Sequence, residues 1–138
     1  MVKRTGKHPA RRRKVFEERT EIHRKVIVFS LKDFDITQGQ SFEDWEKSKI
    51  LAKLMIRLRE ISDYTVVEAI SKGILKDYGE FPENTEFRFP VYLFKGVKWA
   101  SLRIAGKERV AGYIEDNVFF IVFLDKDHKF WISEKKHT

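Results

Sequence analysis

Residues 25–31 read Lys-Val-Ile-Val-Phe-Ser-Leu, a β-branched and apolar run that predicts a first strand. Residues 33–40 are polar and include Gly39, as a loop requires. A helix is then expected from Ser41, which caps it, with Glu43 and Asp44 in the first turn where the helix dipole favours negative charge. Trp45, Ile50, Leu51, Leu54, Met55, Leu58 and Ile61 recur at three- and four-residue spacing and form one apolar stripe. Residues 62–64 break that helix, and Thr65 with Glu68 has the spacing of a capping box for a second. Val66, Val67, Ala69, Ile70 and Ile74 give the second helix its apolar side, and Gly73 begins its exit. So short a link predicts an αα-hairpin.

From Glu86 the period shortens to that of strands. Residues 87–94 are interrupted by Pro90, which marks an edge strand or a bulge. Residues 97–104, 109–115 and 118–124 follow as three further strands, with Gly106 and the Glu115-Asp116-Asn117 corner as turns. Residues 118–124 are apolar on both parities, so this strand belongs at the centre of the sheet, covered on both faces. The expected architecture is α+β: an N-terminal strand, an αα-hairpin, then a four-stranded antiparallel meander.

Composition divides this picture. The first 25 residues hold ten Lys and Arg against Glu17, Glu18 and Glu21, which accounts for the chain's entire net charge of +7. The organisation expected is a basic arm, 1–24, on one otherwise neutral domain, 25–138. Arg11, Arg12, Arg13 and Lys14 are dense enough to bind phosphates, so RNA or the ribosome is the expected partner. A solvated tail is the plainer alternative. Cysteine is absent, which excludes disulfides, thiolate metal sites and thiol nucleophiles. No apolar run reaches about 18 residues, so no membrane span or partner membrane is expected, and the expected compartment is the cytoplasm.

Phosphate-loop, dinucleotide and zinc-helix motifs are all missing, and neither a cofactor nor a metal is expected. His128 alone among four histidines stands beside the core, just after the most apolar strand. It is either a proton-transfer residue or a histidine that merely ends a strand. Lys98, Arg103, Lys107 and Arg109 lie on the strands and turn before it, and Arg109, Ala111 and Tyr113 share one strand face. Cations beside one histidine suit metal-free RNA cleavage. There the ribose 2′-hydroxyl attacks the adjacent phosphorus and cations stabilise the charge on the phosphoryl oxygens. The competing reading has Arg103 and Arg109 paired across strands with Glu108 or Glu115.

The strings Ser101-Leu102-Arg103-Ile104, Lys107-Glu108-Arg109-Val110-Ala111-Gly112-Tyr113-Ile114 and Val122-Phe123-Leu124-Asp125-Lys126-Asp127-His128-Lys129 resemble the RelE/ParE/HigB toxin superfamily. The likeness spans about residues 25–131 and is best over 97–131. It implies a ribosome-dependent endoribonuclease in the RelE branch, or an inhibitor of a protein target in the ParE branch, held in either case by an antitoxin. By position, Arg103 and Arg109 match the family's basic strand residues, and His128 with Lys129 match its terminal basic pair. The catalytic set expected is thus Arg103, Arg109, Tyr113, His128 and Lys129, with Lys98 and Lys107 binding nucleic acid. A non-catalytic accessory protein that binds nucleic acid or the ribosome is the alternative.

Overall fold

The computed structural model describes residues 25–132; the basic arm, with Arg11, Arg12, Arg13 and Lys14, lies outside the described residues. Within them the order is β1 (Val28–Ser30), α1 (Phe42–Lys47), α2 (Leu51–Ile61), α3 (Val66–Ser71), β2 (Leu75–Gly79), β3 (Lys98–Ala105), β4 (Glu108–Glu115) and β5 (Val118–Asp125). The five strands form one sheet in the order β1-β5-β4-β3-β2. From β5 to β2 each neighbouring pair is antiparallel, but β1 runs parallel to β5, so the sheet is mixed.

The helices begin where capping chemistry places them. The Ser41 hydroxyl accepts from the Asp44 N–H at 3.0 Å, and the Asp44 carboxylate accepts from the Ser41 N–H at 2.9 Å. Thr65 and Glu68 repeat the exchange at 3.1 and 2.9 Å. The single long helix expected after Ser41 is instead two. Lys49 turns into the left-handed region (φ 63°) between them. The physical reason lies in the spacing of Trp45 and Ile50. On one helix, five positions would point them to different faces. The turn resets the phase, and both are buried with Leu54 and Ile61 against the sheet. Met55, expected in the stripe, is 59% exposed.

The second correction concerns the strand expected over residues 87–94. That stretch forms no strand, and the meander's first member is β2, at a position read as the exit of a helix. The alternation of Phe87 and Phe89 does turn both rings inward, where they pack on the sheet. The backbone between them is served otherwise. Gln38 lends its side-chain amide to Arg88, accepting from its N–H at 2.7 Å and donating to its carbonyl at 2.8 Å. A side chain fifty positions away in sequence thus replaces a ladder partner.

The sheet is consequently covered on both faces. Helices α1–α3 cover one, over Leu75, Leu102, Val110, Phe119 and Leu124. The connection between β2 and β3, together with the segment after β5, covers the other with Phe81, Phe87, Phe89, Leu93 and Phe130 packed around Trp99. Trp99 is the hub, with ring centroids of Phe81, Phe130, Phe89 and Phe123 at 4.9, 5.5, 5.8 and 5.9 Å. β5 reaches both cores by alternation, and a bulge that inserts Val122 between the partners of Ala111 and Gly112 turns Val122 and Phe123 alike to the second core. The Val122 carbonyl accepts from the Asp35 N–H at 2.9 Å. Nearby, a Cβ on residue 112 would lie 1.8 Å from the Phe120 carbonyl oxygen, so only glycine fits there.

The loop after β1 is tied down by two phenols. The Tyr92 hydroxyl donates to the Asp33 carbonyl at 2.8 Å, and the Tyr113 hydroxyl donates to the Asp33 carboxylate. Partial burial and then the carboxylates of Asp35 and Asp33 push the Tyr92 phenol up to about 12. Burial, followed by the bond to Asp33, raises Tyr113 as well. Unfolded phenols titrate near pH 10. Folded values above that level mean a stabilisation complete below about pH 10 and lost as pH rises through the folded values. The urea midpoint should therefore fall between pH 10 and 12. Tyr113→Phe, already without the bond, should start lower and fall less steeply; equal slopes in the two proteins would refute the assignment.

Candidate functional site

The antiparallel pairing of β3 and β4 sets Arg103 directly opposite Arg109, and the pairing of β4 and β5 sets Arg109 opposite Asp125. All three lie at one end of the sheet, on the face carrying Trp99 and Phe123. The turn 106–107 closes this end, with Gly106 in the left-handed region (φ 44°). The Arg109 guanidinium braces the turn, donating to the Gly106 and Glu108 carbonyls at 2.7 and 3.2 Å. Partial burial and then the neighbouring charge of Arg103 pull the Arg109 pKa down. Neither guanidinium makes an ion pair with a carboxylate of a described residue. The expected Glu108 partner meets Arg109 through its backbone oxygen instead.

Asp125 is 1% exposed, and burial raises its pKa. Its two carboxylate oxygens accept the Lys129 and Phe130 N–H groups at 2.7 and 2.9 Å. These bonds shape the turn after β5 and present His128 in a left-handed conformation (φ 61°), which histidine adopts more readily than most residues. His128 is half-buried and near enough to attract the Asp125 carboxylate electrostatically, but its ring makes no hydrogen bond to a described residue. Lys107 and Lys129 flank the turn in surface ion pairs, with Asp127 at 3.5 Å and Glu86 at 3.7 Å.

Two of the expected site residues stand elsewhere. Tyr113 shares the face of Arg109 but sits four strand positions away, about 13 Å at ordinary strand rise. It is 7% exposed, its hydroxyl is committed to Asp33 and its ring stacks on Phe120 at 4.5 Å. Lys98 lies at the far end of β3, opposite Ile114, on the rim of an apolar groove lined by Phe81, Phe89, Leu93 and Val97. The structure therefore gathers Arg103, Arg109, His128, Lys107 and Lys129 at one end of the sheet and leaves Tyr113 and Lys98 at the other.

Three residues that sequence reasoning passed over complete the gathered end. Lys76 on β2 lies opposite Ser101. Tyr78 donates to or accepts from the Ser101 hydroxyl at 3.0 Å. Trp131 stacks on Tyr78 with ring centroids 4.5 Å apart and planes 5° from parallel. The Lys76 ammonium sits 5.9 Å from both ring centroids. A β-strand at 75–79 was the missing signal, since it alone puts Lys76 and Tyr78 beside Ser101.

Among the described residues no group of three or more His, Asp or Glu is placed to hold a metal ion, and no helix is long and apolar enough to cross a membrane. The chain matches no family model, no curated protein and no solved structure.

Proposed function

We propose that this end of the sheet binds the phosphodiester backbone of RNA and cleaves it without a metal ion, in the manner of a RelE-like toxin acting on mRNA at the ribosome. The observation that carries the reading is the Arg103–Arg109 pair. Like charges directly opposite on neighbouring strands repel and destabilise a sheet. No described carboxylate forms an ion pair with either one. An anion between the two guanidinium groups relieves that repulsion, and a phosphodiester suits their planar forks. In the reaction the ribose 2′-hydroxyl attacks the adjacent phosphorus while the bond to the 5′-oxygen breaks. Arg103 and Arg109 stabilise the charge that builds on the phosphoryl oxygens, His128 gives a proton to the departing 5′-oxygen, and solvent takes the proton of the 2′-hydroxyl. The products are a 2′,3′-cyclic phosphate and a 5′-hydroxyl. An activity of this kind calls for restraint in the cell, so an antitoxin belongs to the reading.

A second reading rests on a different observation: among the described residues, no hydrogen bond orients the His128 ring. A site that only binds needs the arginine pair and no aimed acid or base, which describes a ribosome- or RNA-binding accessory protein. The two separate in one assay. mRNA on programmed ribosomes, with EDTA present, should be cut to fragments with 5′-hydroxyl ends. Stable association with intact mRNA would favour the accessory protein, and neither binding nor cutting would overturn both.

A further inference from the structure

The pair Tyr78–Trp131 is an aromatic platform with one side already filled. Tyr78 backs Trp131 in a parallel stack and is itself anchored through Ser101. The backbone on the far side of Trp131 is clamped as well. Ile132 donates its N–H to the Asn84 carbonyl at 3.2 Å, and its own carbonyl accepts from the Asn84 amide at 2.8 Å. Phe130, the preceding residue, is 1% exposed. An indole held between two fixed neighbours has little conformational freedom left to lose on binding. Yet Trp131 stays 36% exposed, whereas the other tryptophans, Trp45 and Trp99, are fully buried. Most large apolar side chains on this face are spent on the core around Trp99; this one is oriented and left open.

Its surroundings say what it suits. The Lys76 ammonium lies beside both rings, and Ser101, under Tyr78, precedes Arg103 by two positions on β3. That is about 7 Å along one strand face. A flat aromatic surface, a cation at its edge and a guanidinium pair one step away match a base and its neighbouring phosphate. Stacking of this kind is open to unpaired bases, because bases in a duplex already use both faces on each other.

We infer that Trp131, backed by Tyr78 and edged by Lys76, holds one nucleobase of a single-stranded nucleic acid whose adjacent phosphate lies at Arg103 and Arg109. The inference rests on the proposed reading of the arginine pair as a phosphate site, and the two fail differently.

The test is tryptophan fluorescence of the full chain titrated with oligo(A) RNA, with the anisotropy of end-labelled oligo(A) reading affinity in the variants that lack this indole. Trp131 is the exposed indole, so stacking should quench its emission. Trp131→Ala should weaken binding roughly 10-fold or more and leave the salt dependence unchanged, since no phosphate contact is lost. Trp131→Phe should recover most of the affinity, which shows that an aromatic surface and not a local collapse is at issue. Oligo(dA) should quench as oligo(A) does, and duplex RNA should not. Binding that depends on Arg109 but is unmoved by Trp131→Ala overturns the platform and leaves the phosphate site standing. A quench by RNA and none by DNA would place recognition on the 2′-hydroxyl and overturn it too. If wild type and Arg109→Lys bind oligo(A) equally poorly, the phosphate site falls and the platform with it.

Discussion

Arg109→Lys is expected to slow the proposed RNA cleavage by about 100-fold or more, the usual cost of losing one preorganised contact to a developing charge. The charge survives in lysine, but the planar fork does not. The exchange also removes the brace across the β3–β4 turn, where the guanidinium bonds the Gly106 and Glu108 carbonyls at 2.7 and 3.2 Å. These are outer, partly hydrated bonds, so the stability cost should stay within about 1.5 kcal/mol. His128→Asn is the matching test of proton transfer. Asparagine tolerates the left-handed backbone (φ 61°) that His128 adopts, so folding is spared while the imidazole is lost. It too should lose about 100-fold. Single-turnover cleavage on programmed ribosomes, beside urea titrations of each variant, separates the two effects. Wild-type rates in either variant would remove that residue from the chemistry. A large shared loss of stability would mean that both merely hold the corner together.

The largest effect on stability is expected at Trp99. Trp99→Ala should cost about 3–5 kcal/mol, a major share of the 5–15 kcal/mol typical of a domain. The side chain is fully buried, and the rings of Phe81, Phe89, Phe123 and Phe130 all pack around it. The covering connection 80–97 has no strand of its own, so these ring contacts, with a few polar ties from Asn84, Glu86, Arg88 and Tyr92, hold it on the sheet. Trp99→Phe should lose far less. It keeps an aromatic ring and removes an indole N–H that is buried without a hydrogen-bond partner among the described residues. Urea unfolding followed by circular dichroism reads both. A cost below about 1 kcal/mol for Trp99→Ala would show that this second core is not cooperative with the first.

The sheet's three long strands, the Ser41 cap and the Thr65–Glu68 capping box were legible because each rests on short-range pattern. β4 keeps a period of two, which is why Arg109 and Tyr113 fall on one face as their parity requires, whereas β5 loses it at the Val122 bulge. The same parity says nothing of distance along the strand, so it could not reveal that Tyr113 belongs to Asp33 and not to the arginines. β2 was hidden because only five residues, one a terminal glycine, stand between a helix exit and a loop. The alternation at Phe87 and Phe89 imitated a strand because packing on a sheet imposes that period even on irregular backbone. Trp131 gave no local signal at all. Its role depends on Tyr78, which only the folded sheet brings beneath it.

The parallel pairing of β1 with β5 also sets a timetable. Val28 and Phe29 have no ladder partner until Val118 and Phe119 exist. Phe130, which closes the second core, comes later still. During synthesis, therefore, the first strand and the three helices emerge before the strands they cover, and the sheet can close only once nearly all of the described chain has left the ribosome. Contacts so distant along the chain carry a large loop-closure entropy and slow the search for the native state. For a protein proposed to cut messages on ribosomes, the order matters: the β3–β4 hairpin can set Arg103 opposite Arg109 early, but His128 follows β5 and joins them only at the end.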